Sequence, residues 1–317
     1  MNIWTLGDAV VDLLPLSNMK YQACAGGAPV NVAVGAAKLG CQSGFIGRVG
    51  EDSFGNFLKE SLDEYGVNTH HMQFDDKFRT STVLVSLATN GEREFTFLVN
   101  PSADQFLTTD SLPHFEQDIL HFCSLALVSE ECHNTLTSAI TKVKGQGGLL
   151  SFDVNLREQM WSDRQQMFTT IHHFASQADI LKLSEEEWYW LAETHDFAKA
   201  IDMLHSIPSK LKVVTYGAQG SMVLWQNQVI HFNGYAVNSV DTTGAGDAFM
   251  AGLLAGIAKN NLPVNLPNLY RVMAQASACG ALATTQKGAL TASPDSTAVE
   301  IFIRETSPLG YEISDIS

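Results

Sequence analysis

The hydrophobic positions of the chain fall into short continuous runs that alternate with longer segments of helical periodicity. This alternation is typical of a mainly parallel sheet, buried on both faces by helices. The predicted strands are residues 3–6, 44–49, 149–153, 180–183 and 213–216. The predicted helices are residues 29–39, 54–65, 134–144, 164–175, 185–192, 247–259 and 269–285. We therefore expect residues 1–317 to form a single α/β domain with a doubly wound, mostly parallel sheet flanked by helices.

Residues 80–99 interrupt this alternation. They contain two β-rich runs around Asn90-Gly91, a dipeptide that strongly favours a hairpin turn. A hairpin with charged residues at its turn does not belong in the middle of a parallel sheet. Together with residues 13–23 it predicts a small β-sheet beside the main domain. Such a sheet is either a lid over a binding site or a simple edge hairpin.

Composition and charge narrow the range of partners. The formal net charge is −15, from 19 basic and 34 acidic residues, which argues against binding to nucleic acid or to an anionic membrane. The longest apolar run, residues 248–258, is shorter than the roughly 20 residues that a membrane helix needs. Asp8 and Asp12 interrupt the apolar N-terminal segment, which is unlike a signal peptide. We expect a cytoplasmic protein that binds small molecules.

The segment Asp241-Thr-Thr-Gly-Ala-Gly-Asp247 precedes an apolar helix. Gly244, Ala245 and Gly246 have little or no side chain, so backbone N–H groups at the helix start are accessible to an anion such as a phosphoryl group. Asp247 falls in the first helical turn, beside this anion hole. A carboxylate placed there can act as a base on an attacking hydroxyl. The alternative is plain helix capping after a glycine-rich turn.

A second glycine-rich segment lies near the N-terminus. Gly26 and Gly27 allow close backbone approach to a ligand, and Pro29 suits the first turn of a helix. Asn31 offers both a donor and an acceptor, as recognition of a polyhydroxylated molecule requires. An ordinary loop that enters a helix is the alternative.

The two segments together closely resemble the signature sequences of the ribokinase-like (PfkB) family of carbohydrate kinases. Further landmarks of that family occur in the expected order along the whole chain: Gly7-Asp8, Asp12, Asn100-Pro101-Ser102, residues 153–157, residues 184–187 and Thr215-x-Gly217-x-x-Gly220. The resemblance implies a ribokinase-like α/β fold with a β-sheet lid. It also implies ATP-dependent phosphoryl transfer to the hydroxyl of a sugar.

The resemblance also implies roles for individual residues. Asp247 would be the catalytic base, Gly244, Ala245 and Gly246 the anion hole, and Arg157 a cation near the transferred phosphate. The residues that match the sugar-binding positions are Asp8, Asp12, Gly26, Gly27, Asn31, Phe97, Asn100 and Asn155. Those that match the nucleotide-binding positions are Lys182, Glu187, Thr215, Gly217 and Gly220.

The family resemblance predicts two cations. ATP would bind with Mg²⁺, which Glu187 would organise through water. Many relatives have Asn where this chain has Ser184, so we expect an additional water in the Mg²⁺ shell here. A monovalent cation, K⁺ or a similar ion, would lie beside the anion hole. The residues that match its site are Asp241, Thr243, Ala283, Gln286 and Gly288.

The acceptor stays open at this point. The motifs are similar to those of family members that phosphorylate fructose and of members that phosphorylate aminoimidazole riboside or another nucleoside. A non-catalytic, sugar-binding regulatory protein is an alternative from another class. It predicts a lost base or a filled anion hole, and the sequence has neither. Because members of the family often pair through their lids, a homodimer of this type is also expected.

Overall fold

The computed structural model describes residues 1–87 and 93–315 and has an α/β architecture. Its strands are β1 (Ile3–Leu6), β2 (Val10–Pro15), β3 (Tyr21–Gly26), β4 (Ser43–Gly50), β5 (Met72–Asp75), β6 (Ser81–Leu87), β7 (Arg93–Phe97), β8 (Ile119–Cys123), β9 (Leu149–Asp153), β10 (Ile180–Ser184), β11 (Leu211–Thr215), β12 (Gly220–Trp225), β13 (Gln228–Asn233) and β14 (Tyr311–Asp315). Its α-helices are α1 (Ala28–Lys38), α2 (Ser53–Glu64), α3 (Glu130–Gly145), α4 (Arg164–Gln177), α5 (Glu185–Leu191), α6 (Phe197–Ser206), α7 (Ala245–Asn260), α8 (Leu266–Ala283) and α9 (Ser296–Glu305). The turn predicted at Asn90-Gly91 lies outside the described residues.

Ten of these strands form the main sheet, in the order β14-β13-β12-β11-β10-β9-β8-β1-β4-β5. The strands from β11 to β5 are parallel to one another, and β12, β13 and β14 extend the sheet in antiparallel fashion. The carboxyl ends of the parallel strands therefore meet at one edge, which is where ligands bind in sheets of this type.

Helices cover both faces of this sheet. One apolar cluster contains Leu136 of α3, Ile171 of α4 and Trp188 of α5. A second cluster contains Leu253 of α7 and Met273 of α8. The prediction of a doubly wound, mostly parallel α/β fold is confirmed.

Helix α7 is a central helix of the second cluster, with every residue from Ala248 to Ile257 in the interior. Small residues bring its neighbours close: a side chain at Gly252 would overlap Cys279 of α8, and one at Gly35 of α1 would overlap Ala251. Close packing of this kind leaves a helix little freedom to shift. The packing of the rest of α7 thus holds its first turn in place.

The smaller sheet has four strands in the order β3-β2-β6-β7. Strand β2 pairs antiparallel with β3 and parallel with β6, and β6 pairs antiparallel with β7. The predicted range 80–99 contains β6 and β7, whereas the predicted range 13–23 was too short. Strand β2 begins at Val10 and β3 ends at Gly26, so Asp12 and Gly26 belong to the small sheet.

Several elements were not predicted from the sequence: β5, β8, β12, β13, β14, α6 and α9. The β12–β13 hairpin turns at Gln226 and Asn227, whose φ angles are 51° and 64°. These values suit a tight hairpin turn, but no glycine marks it in the sequence. Strand β8 includes His121, which is buried and hydrogen-bonded to Ser151 Oγ at 3.0 Å. Because His121 is polar, the sequence pattern did not predict a buried strand here.

Within the described residues, the helices are too short or too polar to cross a membrane.

Candidate active site

A cavity of about 1230 Å³ opens where the carboxyl ends of the parallel strands meet the small sheet. The N-terminal turns of α1 and α7 form part of its wall through Ala28, Asn31, Gly246 and Asp247. Strands β2, β6 and β7 of the small sheet contribute apolar residues opposite them. The volume is large enough for two small ligands bound side by side, since single ligand pockets are typically about 300–1,000 Å³.

The first turn of α7 has the form of an anion site. Gly244 is its N-cap, with a left-handed φ of 72°, and a Cβ at this position would lie 2.7 Å from the Cβ of Ala289. Because Gly244 has no side chain, no side-chain cap covers the N–H groups of the first turn. Gly244 and Gly246 line the cavity, and Ala245 lies between them without lining it.

Asp247 follows directly on this turn and lines the cavity. Its Oδ2 accepts a hydrogen bond of 2.7 Å from Nδ2 of Asn31 in α1. Burial raises the pKa of Asp247, while the bond from Asn31 and the charges of Lys182 and Arg157 oppose that rise. The side-chain oxygen of Asn31 is buried and accepts no hydrogen bond. A buried carboxylate and an unpaired amide oxygen thus lie side by side.

Lys182 lies in β10 and forms a buried ion pair with Asp153 of β9. Its Nζ is 2.9 and 2.8 Å from the two carboxylate oxygens. Burial opposes its charge, but the carboxylates of Asp153, Glu187 and Asp247 more than offset this and raise the pKa of Lys182. The ammonium is 3.7 Å from the point where a Cβ of Gly246 would lie. It therefore places positive charge beside the anion hole.

Arg157 and Asn155 follow β9 and also line the cavity. Nη1 of Arg157 donates to the carbonyl of Leu156 at 2.9 Å. Asn155 has a left-handed φ of 39°, a conformation that Asn tolerates better than most residues, and its carbonyl accepts from Ser124 Oγ. This local turn directs the residues after β9 towards the cavity.

Acidic side chains line the cavity near the small sheet. Burial, and next the charge of Asp104, raise the pKa of Asp8 to about 7. The carboxylate of Asp12, in β2, lies against Gly26 of β3, where a Cβ would overlap it. Gly27 has a φ of 106°, and a Cβ there would lie 2.7 Å from the carbonyl oxygen of Asp8. Gly26 does not line the cavity, and its contribution is the space it leaves for Asp12.

The wall of the small sheet is mainly apolar. It includes Leu14 of β2, Val83 and Val85 of β6, and Phe97 of β7. Asn100 is exposed and does not line the cavity, and its side-chain oxygen accepts a weak bond of 3.4 Å from Gln105. Of the predicted sugar-binding residues, the structure therefore places Asn100 outside the cavity.

The opposite end of the cavity is shaped by the start of α5. Ser184 is the N-cap of this helix, and Glu187 completes a capping box with it. The two oxygens of Glu187 accept from the backbone N–H groups of Ser184 and Leu156, each at 2.7 Å. Ser184 and Glu187 both line the cavity. The two main-chain N–H groups therefore fix the carboxylate of Glu187 at the cavity wall.

Thr215, at the end of β11, also lines the cavity, but Gly217 and Gly220 do not. Gly217 has a φ of 56° with open space around it. Gly220 has a φ of 110°, and a Cβ there would overlap the carbonyl oxygen of Phe232. These glycines shape the turn between β11 and β12.

Comparison with known proteins identifies the family. The sequence profile of the pfkB family carbohydrate kinases matches residues 6–296. This chain belongs to the pfkB family of carbohydrate kinases. It is 46% identical to a fructokinase of Salmonella typhimurium, over 92% of this chain and 96% of that protein. It is 36% identical to the aminoimidazole riboside kinase of Salmonella typhimurium strain LT2, over 92% of each chain.

Solved structures agree with this assignment. The kinase superimposes with a TM-score of 0.90 on the fructokinase of Vibrio cholerae O395 with fructose, ADP and a calcium ion, at 44% identity, covering 95% of this chain and 98% of that one. A double mutant of the same fructokinase with fructose, ADP and a potassium ion also gives 0.90, at 43% identity, covering 95% and 97%. The predicted family and ribokinase-like fold are confirmed.

Three of the residues predicted for the cation site are in contact with one another. Asp241 Oδ1 accepts from the N–H and hydroxyl of Thr243 at 3.0 and 2.7 Å, and its Oδ2 accepts from the N–H of Gly288 at 3.1 Å. Ala283 and Gln286 belong to the same stretch of chain but do not line the cavity. The described residues contain no cluster of three or more His, Cys, Asp or Glu side chains suited to a metal.

Some residues of the site were not predicted. Val83, Val85, Cys123, Lys287 and Thr291 line the cavity, and Asp104 acts on Asp8 through its charge. Val83 and Val85 alternate along β6, which is a signal that one face of this strand is covered. Lys287 adjoins Gly288, which matches the predicted cation site beside the anion hole, but the family resemblance assigned no role to the side chain of Lys287.

Proposed function

We propose that this kinase transfers the γ-phosphoryl group of MgATP to a primary hydroxyl of fructose, giving fructose 6-phosphate and ADP. The observation that carries the proposal is the hydrogen-bonded pair Asp247 and Asn31, at the start of two helices that meet beside an anion hole. The 46% identity to a fructokinase over nearly the whole chain supports fructose as the acceptor.

Asp247 is the proposed general base. Its Oδ takes the proton of the acceptor hydroxyl as that oxygen forms a bond to the γ-phosphorus, and the bond from phosphorus to the bridging oxygen of ADP breaks. The raised pKa of Asp247 suits this step, because a stronger base accepts the proton more readily. The catalytic contribution is mainly positioning and electrostatics.

Negative charge develops on the transferred group during this step. The N–H groups at Gly244, Ala245 and Gly246 are proposed to receive it at the N-terminus of α7. Lys182 supports the anion hole from the end of β10, and Arg157 acts from the end of β9. Their fixed positions avoid reorganisation at the moment of transfer.

Recognition of the sugar is proposed to rest on Asp8, Asp12 and Asn31, because carboxylate and amide oxygens accept bonds from hydroxyl groups. Gly27 and Asn155 shape the same region, and Phe97 covers it from the small sheet. We propose that residues 1–317 form one domain and that its small sheet acts as a lid. Closing it would exclude water and so suppress ATP hydrolysis.

The nucleotide is proposed to lie along Thr215 and the turn through Gly217 and Gly220, with its phosphates pointing to Lys182. Mg²⁺, when bound with ATP, neutralises phosphate charge. It usually keeps several waters and takes only one or two carboxylates, which fits the main-chain-held carboxylate of Glu187 as a partner through water. The short side chain of Ser184, which caps α5, is consistent with an added water there.

A monovalent cation, K⁺ or a similar ion, is proposed beside the anion hole. The supporting observations are the arrangement of Asp241, Thr243 and Gly288, and the potassium ion bound in the structure of the Vibrio cholerae double mutant. Backbone carbonyls near Ala283 and Gln286 would complete the oxygen donors that such cations prefer. The cation would fix the turn that carries the anion hole.

We also propose a homodimer formed through the lids, and a cytoplasmic location. The support for the dimer is the exposure of large apolar side chains that border the strands of the small sheet: Leu16, Met19 and Leu98 are 56%, 83% and 52% exposed. Apolar groups at such positions often mark an interface. Light scattering coupled to gel filtration measures the assembly directly.

Aminoimidazole riboside is the second candidate acceptor, supported by the 36% identity to its kinase and by the apolar lid residues, which suit a stacked ring as well as a furanose. The test is kcat/KM for both acceptors with MgATP, with and without K⁺. The proposal expects fructose to be preferred by at least about tenfold, a difference of about 1.4 kcal/mol in transition-state binding. A preference for the riboside would overturn it.

A further inference from the structure

The loop of residues 287–291 forms the cavity wall next to the anion hole, through Lys287, Gly288 and Thr291. It lies directly behind the first turn of α7, since a Cβ at Gly244 would touch Ala289 at 2.7 Å. Gly244 therefore packs closely against Ala289, with no space for a side chain between them. The position of the loop and the shape of the anion hole are coupled.

The loop is held at its first end by Asp241. The N–H of Gly288 donates to Asp241 Oδ2 at 3.1 Å, while Asp241 Oδ1 accepts from Thr243. Within the loop, the hydroxyl of Thr291 donates to the carbonyl of Lys287 at 3.1 Å. The carboxylate thus connects the start of the loop to the turn that carries the anion hole.

At its other end the loop is held by a lysine of a different helix. Lys38 is in the last turn of α1, and its Nζ donates to the carbonyls of Leu290 at 3.1 Å and Thr291 at 3.4 Å. The same ammonium lies 5.4 Å from the centre of the Tyr65 ring. Two carbonyls and one aromatic face therefore surround a half-buried cation, an arrangement that restricts it to one position.

Helix α1 also carries Asn31, the partner of Asp247, in its first turns. One helix therefore contacts the catalytic carboxylate near its start and the loop at its end. It packs against α7 between these points, where Gly35 lies close to Ala251. A displacement of the loop relative to α1 would change the wall of the cavity beside the anion hole, whereas the bond between Asn31 and Asp247 does not involve Lys38.

We propose that Lys38 is a positioning residue that holds the 287–291 loop against the anion hole, so that its loss weakens nucleotide binding while leaving sugar binding intact. This inference rests on the proposed function for the identity of the nucleotide. It assigns no contact between Lys38 and either ligand.

Three variants test the inference. Lys38→Met removes the ammonium and keeps much of the side-chain volume, and Lys38→Arg keeps a donor able to reach the carbonyls. Lys259→Met is the matched control, because Lys259 Nζ donates to the carbonyl of Leu39, one residue beyond the end of α1, at 2.9 Å. The control removes a comparable lysine-to-carbonyl bond at the same end of the helix without touching the loop.

The main measurement is the dissociation constant of MgAMP-PNP, a non-hydrolysable ATP analogue that keeps a γ-phosphoryl group, by titration calorimetry in the presence of K⁺. Lys38→Met should bind the analogue about tenfold more weakly, because the unanchored loop would hold the binding-competent position about one tenth of the time. Lys38→Arg should recover most of the affinity, and Lys259→Met should bind like the parent protein. The KM for fructose should stay within about twofold of the parent value in all three variants, because none of them changes a residue that is proposed to bind the sugar.

Amide hydrogen exchange supplies a second measurement. Faster exchange confined to residues 287–291 in Lys38→Met supports the proposal. Should that variant not fold, Lys38→Gln, which keeps a shorter donor, should give an intermediate affinity for the analogue. Parent-like affinity for the analogue in Lys38→Met, or equal losses for the analogue and fructose, would overturn the inference. Because calorimetry needs no turnover, failure to phosphorylate fructose would count against the proposed function alone.

Discussion

The two ends of the cavity are built in different ways. The end proposed to hold the phosphoryl group consists of main-chain groups at the start of α7, a helix whose residues from Ala248 to Ile257 are all buried. The end proposed to hold the sugar depends on a four-stranded sheet in which Gly26 is the one buried residue of β3, and the turn between β2 and β3 exposes Met19 to solvent. In the proposed mechanism, the groups that must stay in place during the chemical step lie on the packed core, and the groups that admit the substrate lie on the small sheet.

The acidic side chains at the two ends of the cavity also have different surroundings. At the phosphoryl end Asp153 is paired with Lys182, and Asp247 is bonded to Asn31. At the proposed sugar end, burial and then the charge of Asp104 raise the pKa of Asp8, and the charge of Arg157 partly offsets this. Changes at the phosphoryl end should therefore alter kcat, and changes at the sugar end should alter KM and its dependence on pH.

The largest effect is expected from removal of the base. Asp247→Asn keeps the size of the side chain but cannot accept the proton, so kcat should fall by about 10²–10⁴-fold. Fructose binding, measured by calorimetry in the absence of ATP, should change by less than about threefold, because Asp247 acts in the chemical step. Turnover close to that of the parent protein would reject the assigned role.

The anion hole should be the next most sensitive part. Gly244→Ala places a methyl group against Ala289 at a φ of 72°, so the first turn of α7 must shift. Loss of correctly placed N–H donors should lower kcat by about 10²-fold, with a smaller change in the KM for fructose. Gly66→Ala is the matched control: Gly66 has a φ of 76° but open space around it, so it reports backbone strain without the clash. Equal losses in both variants would contradict the role of Gly244.

The lid end should respond mainly in KM. In Gly26→Ala the new methyl group would overlap the carboxylate of Asp12 and displace it. Losing the hydrogen bonds that this carboxylate makes to the sugar should raise the KM for fructose by about tenfold, with kcat changed less. Ala23→Ser, on the exposed part of the same strand, should behave like the parent protein. A fall in kcat with constant KM would show that Asp12 acts in the chemical step instead.

The smallest effect concerns pH. The pKa of Asp8 is about 7 in the folded protein, against about 3.9 in an unfolded chain. The folded state therefore binds a proton more tightly, and Asp8 makes unfolding progressively easier as pH rises from about 4 to about 7. Asp8→Asn should be more stable than the parent protein at pH 8, by about 1–2 kcal/mol, with the difference fading towards pH 4. Thermal unfolding at both pH values measures this.

The same carboxylate should make sugar affinity depend on pH. Only the ionised form of Asp8 accepts bonds at both oxygens, so the KM for fructose should rise as pH falls below about 7. In Asp8→Asn the KM should be higher but flat with pH between 6 and 8. A KM that still rises towards acid in this variant would assign the effect to another group, such as Asp247.

The sequence by itself determined the parts of this protein that are local. A run of small residues followed by Asp247 and an apolar segment indicates an anion site at a helix start, because the geometry of one turn depends on neighbouring residues only. The same holds for the alternation of strands and helices, which predicted the fold class, and for the glycines before α1. The family signatures extended these inferences to the whole chain.

Only the tertiary structure decided which groups meet. Asn31 and Asp247 are 216 positions apart in the chain, and Lys182 and Asp153 are 29 apart. Glu187 caps its own helix and also binds the backbone after β9, and Lys38 reaches a loop that begins almost 250 residues further along the chain. No pattern of neighbouring residues encodes such contacts, since they arise when the sheet and helices pack together. The charges and pKa values of the site depend on the same packing, because burial is a property of the folded chain.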